Sequence, residues 1–280
     1  YGYFSNSITQ NNFENDEIDE NDENDGIFLC DFKGNKKLIL SINDAIKICS
    51  LKNIKKKFFL AHPTFNPSGN KFVSILRFFN DSGTLISFLI CTNLETLEHK
   101  LLAREKVSHF EWLNDHKLVV WCRKSSKKIE LLRFNKFTEK YIISNVKKII
   151  NNLNPSLKQK ITSTHYYVID LNNNNQVQIL DKDILTEDGH PQISTNKNFL
   201  ITDTYANNRG FQKLLFYEIK KDKTHEIGEF KVDNNLINKG LKYDLHPRWN
   251  FDDNLISIDS SHEGSRQSYI LNLERYIKQF

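Results

Sequence analysis

The chain has 280 residues, 39% hydrophobic and 12% aromatic, which is enough to bury a sizeable core. Its 39 basic and 35 acidic residues leave a net charge of +4, too small and too mixed to mark a nucleic-acid-binding surface. No run of 18 apolar residues occurs, which argues against a helical membrane span.

The chain opens at Tyr1 and contains no Met, so it is expected to be a fragment or processed piece whose N-terminal part is missing. None of Cys30, Cys49, Cys91 and Cys122 belongs to a C-x-x-C pair. Cys30, Cys91 and Cys122 lie in apolar runs, so buried free thiols in a reducing, cytoplasmic setting are expected.

Residues 11–25 are almost all Asn, Asp and Glu, which bury too little apolar surface to offset the entropy of ordering; a disordered loop is expected. The D-x-[DN]-x-[DN]-G pattern of a calcium loop fails before Gly26, at Asn21 and Glu23. From Gly26 to Ser41 two apolar strands flank a Gly-Asn turn, and Ser41 is placed to cap a short helix over Ile42–Ile48.

Four later segments align on a histidine: HPTFNPSG from His62, HFEWLNDH from His109, HPQISTNK from His190 and HPRWNFDD from His246. Three residues on stands an apolar residue (Phe65, Trp112, Ile193, Trp249), then a polar turn, then an apolar strand. The gaps between these histidines are 47, 81 and 56 residues, against about 40–50 for one four-stranded unit. The long gap holds an Asn- and Lys-rich insertion at about 136–160, with a possible helix near Val146–Asn152.

Helical periodicity is scarce elsewhere. An all-β fold is expected, a β-propeller of four-stranded blades, because stacking blades hides faces that one sheet would leave wet. About five blades are visible, as part of a six- or seven-bladed ring in a single domain spanning 1–280.

The first strand of a blade lines the central channel, so His62, His109, His190 and His246 start equivalent strands near one mouth. Converging there, they would ligate a metal, with Asp188 and Asp244 as carboxylates behind them. Locking the turn through backbone hydrogen bonds is the other role open to a repeated His.

Arg77 and Arg123 close the following strand in two blades, and Asp203 and Asp259 stand one position earlier in the other two. With Arg209 and Arg248 they are candidates to bind an acidic ligand, or to pair with one another. Trp249 and Trp112 are candidates to stack on sugar rings, or to fill the core.

EDGHPQIS (Glu187–Ser194), ITDTYAN (Ile201–Asn207), DLHPRW (Asp244–Trp249), DSSHEGSRQSYILNL (Asp259–Leu273) and SHFEW (Ser108–Trp112) together resemble propellers related to oligogalacturonate lyase. HPTFNPSG resembles the blade motif of TolB-like and oligopeptidase-type propellers. The resemblance spans roughly Gly26 to Leu273. It implies β-elimination on unsaturated uronate oligomers with a divalent metal, usually manganese, held by His and Gln.

In the neighbourhoods where that family has a Gln and a second His, this chain has Tyr243 and Arg248. For such a β-elimination His262 would be the base and Arg266 the neutraliser of the uronate carboxylate, or the Ser261–Arg266 segment simply caps its loop. No G-x-S-x-G elbow occurs, so a serine-hydrolase nucleophile is not expected. A non-catalytic propeller that binds a glycan or a protein partner is the reading from the other class.

Overall fold

The computed structural model of the chain describes residues 24–51, 54–81, 83–104, 106–123, 162–173, 176–232 and 243–278. Most of the acidic segment and the whole insertion at about 136–160, with the helix expected near Val146–Asn152, lie outside the described residues. Contacts divide the chain into two compact units. The first takes the described residues up to Val107, the second Ser108–Arg123 with those from residue 162 onward.

In the first unit β1 (Gly26–Cys30) and β2 (Lys36–Ser41) form a two-stranded antiparallel sheet. Gly34 turns at φ +86°, and the Asp31 carboxylate accepts the Lys33 and Asn35 amides. Helix α1 (Ile42–Ile48) follows at once, with Ser41 Oγ accepting the Asp44 amide at 3.0 Å. This hairpin, cap and helix match the sequence expectation.

The strands β3 (Phe58–Phe65), β4 (Lys71–Phe79), β5 (Leu85–Asn93) and β6 (His99–Arg104) make a meander. Its Phe72, Leu76, Phe88 and Ile90 pack with Leu40, Ala45 and Cys49 in one core. Here β3 bulges between Ala61 and Thr64, because His62 takes a left-handed φ of +54° before Pro63.

The second unit contains three consecutive meanders. They are β7 (Phe110–Trp112), β8 (Lys117–Arg123), β9 (Thr164–Asp170) and β10 (Gln176–Ile179); β11 (Gln192–Ile193), β12 (Phe199–Asp203), β13 (Phe211–Glu218) and β14 (Lys223–Lys231); and β15 (Arg248–Trp249), β16 (Leu255–Ser260) and β17 (Gln267–Asn272). A short helix α2 (Glu274–Ile277) follows.

Apolar faces of successive sheets pack together: Val119, Trp121 and Tyr166 against Leu200, Leu215 and Tyr217, then Ile201, Leu214 and Phe216 against Ile256 and Ile258. Each of these core residues is at least nine-tenths buried, so each sheet depends on its neighbour for burial.

The repeat has a local cause at its turn. Four residues after their His, Asn66, Ser194 and Asn250 each close the first hairpin with a side-chain oxygen that accepts the amide of Lys71, Phe199 or Leu255. Asn114 does the same for Lys117. Short polar side chains mimic a backbone turn at little cost, which is why this motif recurs.

Four blades are thus present among the described residues, and the N-terminal pair forms a two-stranded sheet of its own. Cys91 and Cys122 are buried as expected, Cys49 is buried too, and burial pushes the Cys91 and Cys122 thiols up to about 11 and about 12. Cys30 is exposed instead, because β1 leaves its last three side chains in solvent. Among the described residues no helix is long and apolar enough to cross a membrane.

Candidate metal centre

The His-containing turns of the second unit bring chemistry together. Gln192 pairs with Ile201 and Ile193 with Leu200, and just beyond this pairing His190 and Asp203 meet through hydrogen bonds. Beyond the Arg248–Ser257 pair His246 takes a left-handed φ of +44°, and the Asp259 amide donates to the Leu245 carbonyl at 2.8 Å.

Asp203 is fully buried and accepts the His190 amide at 2.6 Å, the His190 ring at Nδ1 at 2.9 Å and the His246 amide at 3.0 Å. One carboxylate thereby fixes two successive His turns. Burial opposes its ionisation, but the hydrogen bonds and charge of His190 outweigh that and hold the carboxyl below its ordinary value.

Gly189 makes this approach possible. A Cβ there would fall 1.8 Å from the Asp203 carbonyl oxygen and 2.8 Å from its Oδ1. Gly189→Ala is therefore expected to cost about 1–3 kcal/mol by overpacking, read as a lowered urea midpoint.

The Nδ1–H of His190 points at Asp203, which sets the tautomer with the lone pair on Nε2. His246 Nδ1 lies 3.1 Å from the Asp244 carbonyl oxygen, which sets the same tautomer. The two rings stand 4.0 Å apart between centroids. Burial, and then the neighbouring His190, lower the His246 pKa and favour neutral imidazole.

Ligand atoms of His190, Asp244 and His246 all lie within 4.8 Å of one another. Opposed ligands on one ion sit about 4 Å apart, so small side-chain movements would bring all three into one coordination shell. Two imidazoles and a carboxylate are donors that suit a first-row divalent metal with open positions. The residues fit the group. Gln212 supports Asp244, its Nε2 donating to the Tyr243 carbonyl at 2.9 Å and to Asp244 Oδ1 at 3.3 Å.

His109 belongs to the same neighbourhood but not to this ligand set. Its ring stands 4.4 Å from that of His190, and its Nδ1 is 3.0 Å from Asp188 Oδ1. Tyr205 closes the side, 5.7 Å from the His190 ring and 6.3 Å from that of His109. His62 lies in the first unit, where its Nε2 meets Arg77 Nη1 at 3.1 Å.

Other expected site residues fall elsewhere. Asp203, expected to face a ligand, is sealed behind His190 because the strand register points it at the turn. Arg123 ends β8 opposite Thr164, and Arg209 sits on the exposed turn before β13. Trp112 is 2% exposed and Trp249 packs edge-on against Phe216 at 6.2 Å, so both fill the core.

Arg248 Nη1 donates to the Pro247 carbonyl. His262 sits at the tip of the β16–β17 hairpin, its Nδ1 2.8 Å from Ser260 Oγ and its ring against Tyr269 at 4.7 Å. Arg266 bonds Asp259 Oδ2 at 2.7 Å.

Sequence reasoning missed Gly189, Tyr205 and Gln212, and named Asp244 only as a carboxylate behind the histidines, whereas its carboxylate lies within 4.8 Å of the ligand atoms of His190 and His246. A usable signal for Asp203 was present: it stands at the same strand position as Asp259.

No protein-family model and no curated protein matches the chain. Solved structures do. A prolyl endopeptidase chain superposes with a TM-score of 0.53 at 7% identity, over 86% of this chain and 30% of that one. TolB from Acinetobacter baumannii gives 0.49 at 12% identity, over 88% and 45%. An oligogalacturonate lyase in complex with manganese gives 0.43 at 9% identity, over 87% and 70%.

The chain spans less than half the length of the TolB and prolyl endopeptidase chains. Both groups whose motifs the sequence resembles are among these structurally similar proteins. At such identities the likeness establishes the β-propeller fold and nothing about activity.

Proposed function

We propose that the second unit holds a divalent metal on His190, Asp244 and His246 and uses the site to cleave an acidic oligosaccharide by β-elimination. The observation that carries this is the three-ligand cluster, its His190 ring fixed by a buried carboxylate and flanked by the His109–Asp188 pair. Manganese is the metal that the sequence resemblance implies. A bound divalent metal supplies Lewis acidity toward a substrate carboxylate oxygen.

The protein's own groups supply the proton transfer. His109, with Nδ1 turned to Asp188, presents Nε2 as a base toward the proton beside the uronate carboxylate. As that proton leaves, its electron pair becomes the carbon–carbon double bond while the glycosidic carbon–oxygen bond on the adjacent carbon breaks, and the departing oxygen takes a proton from water. Tyr205 supplies an aromatic wall for the sugar ring.

The test is metal analysis of purified protein before and after chelation, with the ultraviolet absorbance of the unsaturated product followed on oligogalacturonate. One metal per chain and metal-dependent product are expected. His109→Ala should keep the metal and lower turnover by about 10²–10⁴-fold. Absence of both metal and product overturns the assignment.

A second reading, a non-catalytic propeller binding an acidic glycan or a protein partner, is favoured by Arg248. Its guanidinium stands two residues from His246 and has no lone pair for a metal. Metal binding without product would select it.

A further inference from the structure

We infer that Glu111 is a further catalytic residue of the second unit, the acid that hands a proton to the departing oxygen while His109 takes one from carbon. This role rests on the elimination reading and deepens it.

Glu111, Gln192 and Arg248 each stand two residues after a histidine of the second unit. Each lies on the first strand of its sheet and pairs with the second, Glu111 with Val119, Gln192 with Ile201 and Arg248 with Ser257. Those first strands are sheet edges, with β7 next to β11 and β11 next to β15. Only one of the three side chains can give up a proton near neutral pH. An amide does not titrate, and a guanidinium keeps its proton to above about pH 12. Gln192 Oε1 accepts the Trp249 amide, and Arg248 Nη1 donates to the Pro247 carbonyl at 2.9 Å.

The strand that places the proposed base also places Glu111. The His109 carbonyl accepts the Trp121 amide at 2.8 Å, so His109 continues the ladder of β7. His109 and Glu111 are therefore alternate residues of one extended run. Their side chains leave it on the same side, with roots about 6–7 Å apart. That span admits one H–C–C–O unit of a sugar, its hydrogen end toward the base and its oxygen end toward the acid.

One carboxyl oxygen of Glu111 is anchored, Oε1 accepting the Trp112 amide at 3.0 Å. The other, Oε2, meets no protein donor among the described residues. Glu111 is half-buried, which leaves that oxygen within reach of a ligand. Burial raises its pKa, and the Trp112 bond and the charges of Arg248 and Lys197 offset this only in part. The carboxyl thus keeps its proton to higher pH than an exposed glutamate does, as an acid catalyst requires.

In the step, the Glu111 O–H bond and the glycosidic carbon–oxygen bond break together. The proton goes to the departing oxygen, and the O–H electron pair stays on the carboxylate. Water then reprotonates Glu111 and takes the proton from His109, so water remains the ultimate source.

Two substrates, given to the full chain in manganese, test the role. Digalacturonate must expel a sugar hydroxyl. Galacturonate carrying a 4-nitrophenoxy group at the same carbon expels a stable anion that needs no proton. Glu111→Gln keeps an oxygen for the Trp112 amide and removes the acid. It should lower turnover of digalacturonate by about 10²–10⁴-fold and that of the nitrophenyl ether by less than about tenfold. Metal stoichiometry and thermal midpoint should stay unchanged. His109→Ala should lower both turnovers, because either substrate must lose its proton from carbon.

Equal losses on the two substrates, or no loss on digalacturonate, overturn the acid role and leave the elimination standing. A wild type that turns over neither substrate sinks the elimination itself, and the acid with it.

Discussion

Replacing His190 with alanine is expected to lower metal affinity by more than 100-fold. Loss of an outer partner of a metal-bound histidine typically costs about 10–100-fold, and removal of the ligand itself costs more. His190 contributes an Nε2 whose direction Asp203 fixes, and its ring stands 4.0 Å from His246. His246→Ala should behave alike, because either change leaves one imidazole and one carboxylate. His262→Ala should leave affinity unchanged, since that ring is engaged at a hairpin tip with Ser260 and Tyr269. Competition titration against a chelator reads the three variants together, with circular dichroism to show that the sheets persist. Equal affinity in wild type and His190→Ala would remove the metal centre.

The second large effect is on stability. Asp203→Ala is expected to cost about 3–5 kcal/mol, the range for removing one partner of a buried, hydrogen-bonded charge pair. The cost arises because the His190 ring and the amides of His190 and His246 all lose their acceptor in a dry site.

The pH dependence follows from the lowered Asp203 pKa. An unfolded aspartate binds its proton near 3.8, and the folded one only at lower pH. The margin of wild type over variant should therefore be full at pH 7, hold down to about pH 4, and narrow as pH falls through the folded value. Urea unfolding at pH 7 and pH 3 checks both statements. A variant within about 1 kcal/mol of wild type at pH 7 would show that Asp203 is not the keystone of the two turns.

Much of the architecture was legible because its causes are local. The Gly-Asn turn, the Ser41 cap and α1 each follow from residues within a few positions of one another. The His turns were visible because Asn66, Ser194 and Asn250 close the same hairpin by the same bond. Short apolar runs bounded by polar turns gave the strands, because turn chemistry punctuates the chain locally.

The site was only half legible, and Asp188 shows why. Two residues before His190 in sequence, it was expected to support that ring. It bonds His109 instead, 79 residues away on the preceding blade, while the His190 ring is held by Asp203, 13 residues on. Asp244 was likewise expected behind the metal, and the turn before β15 puts it level with both histidines.

The amino-acid sequence by itself determined the blades, their turns and which histidines begin them, because strand period and turn chemistry act over a few residues. Only the tertiary structure decided which carboxylate meets which histidine. Those pairings are set by the register across a hairpin and the stacking of one sheet on the next, and neither distance is encoded by neighbours in the chain.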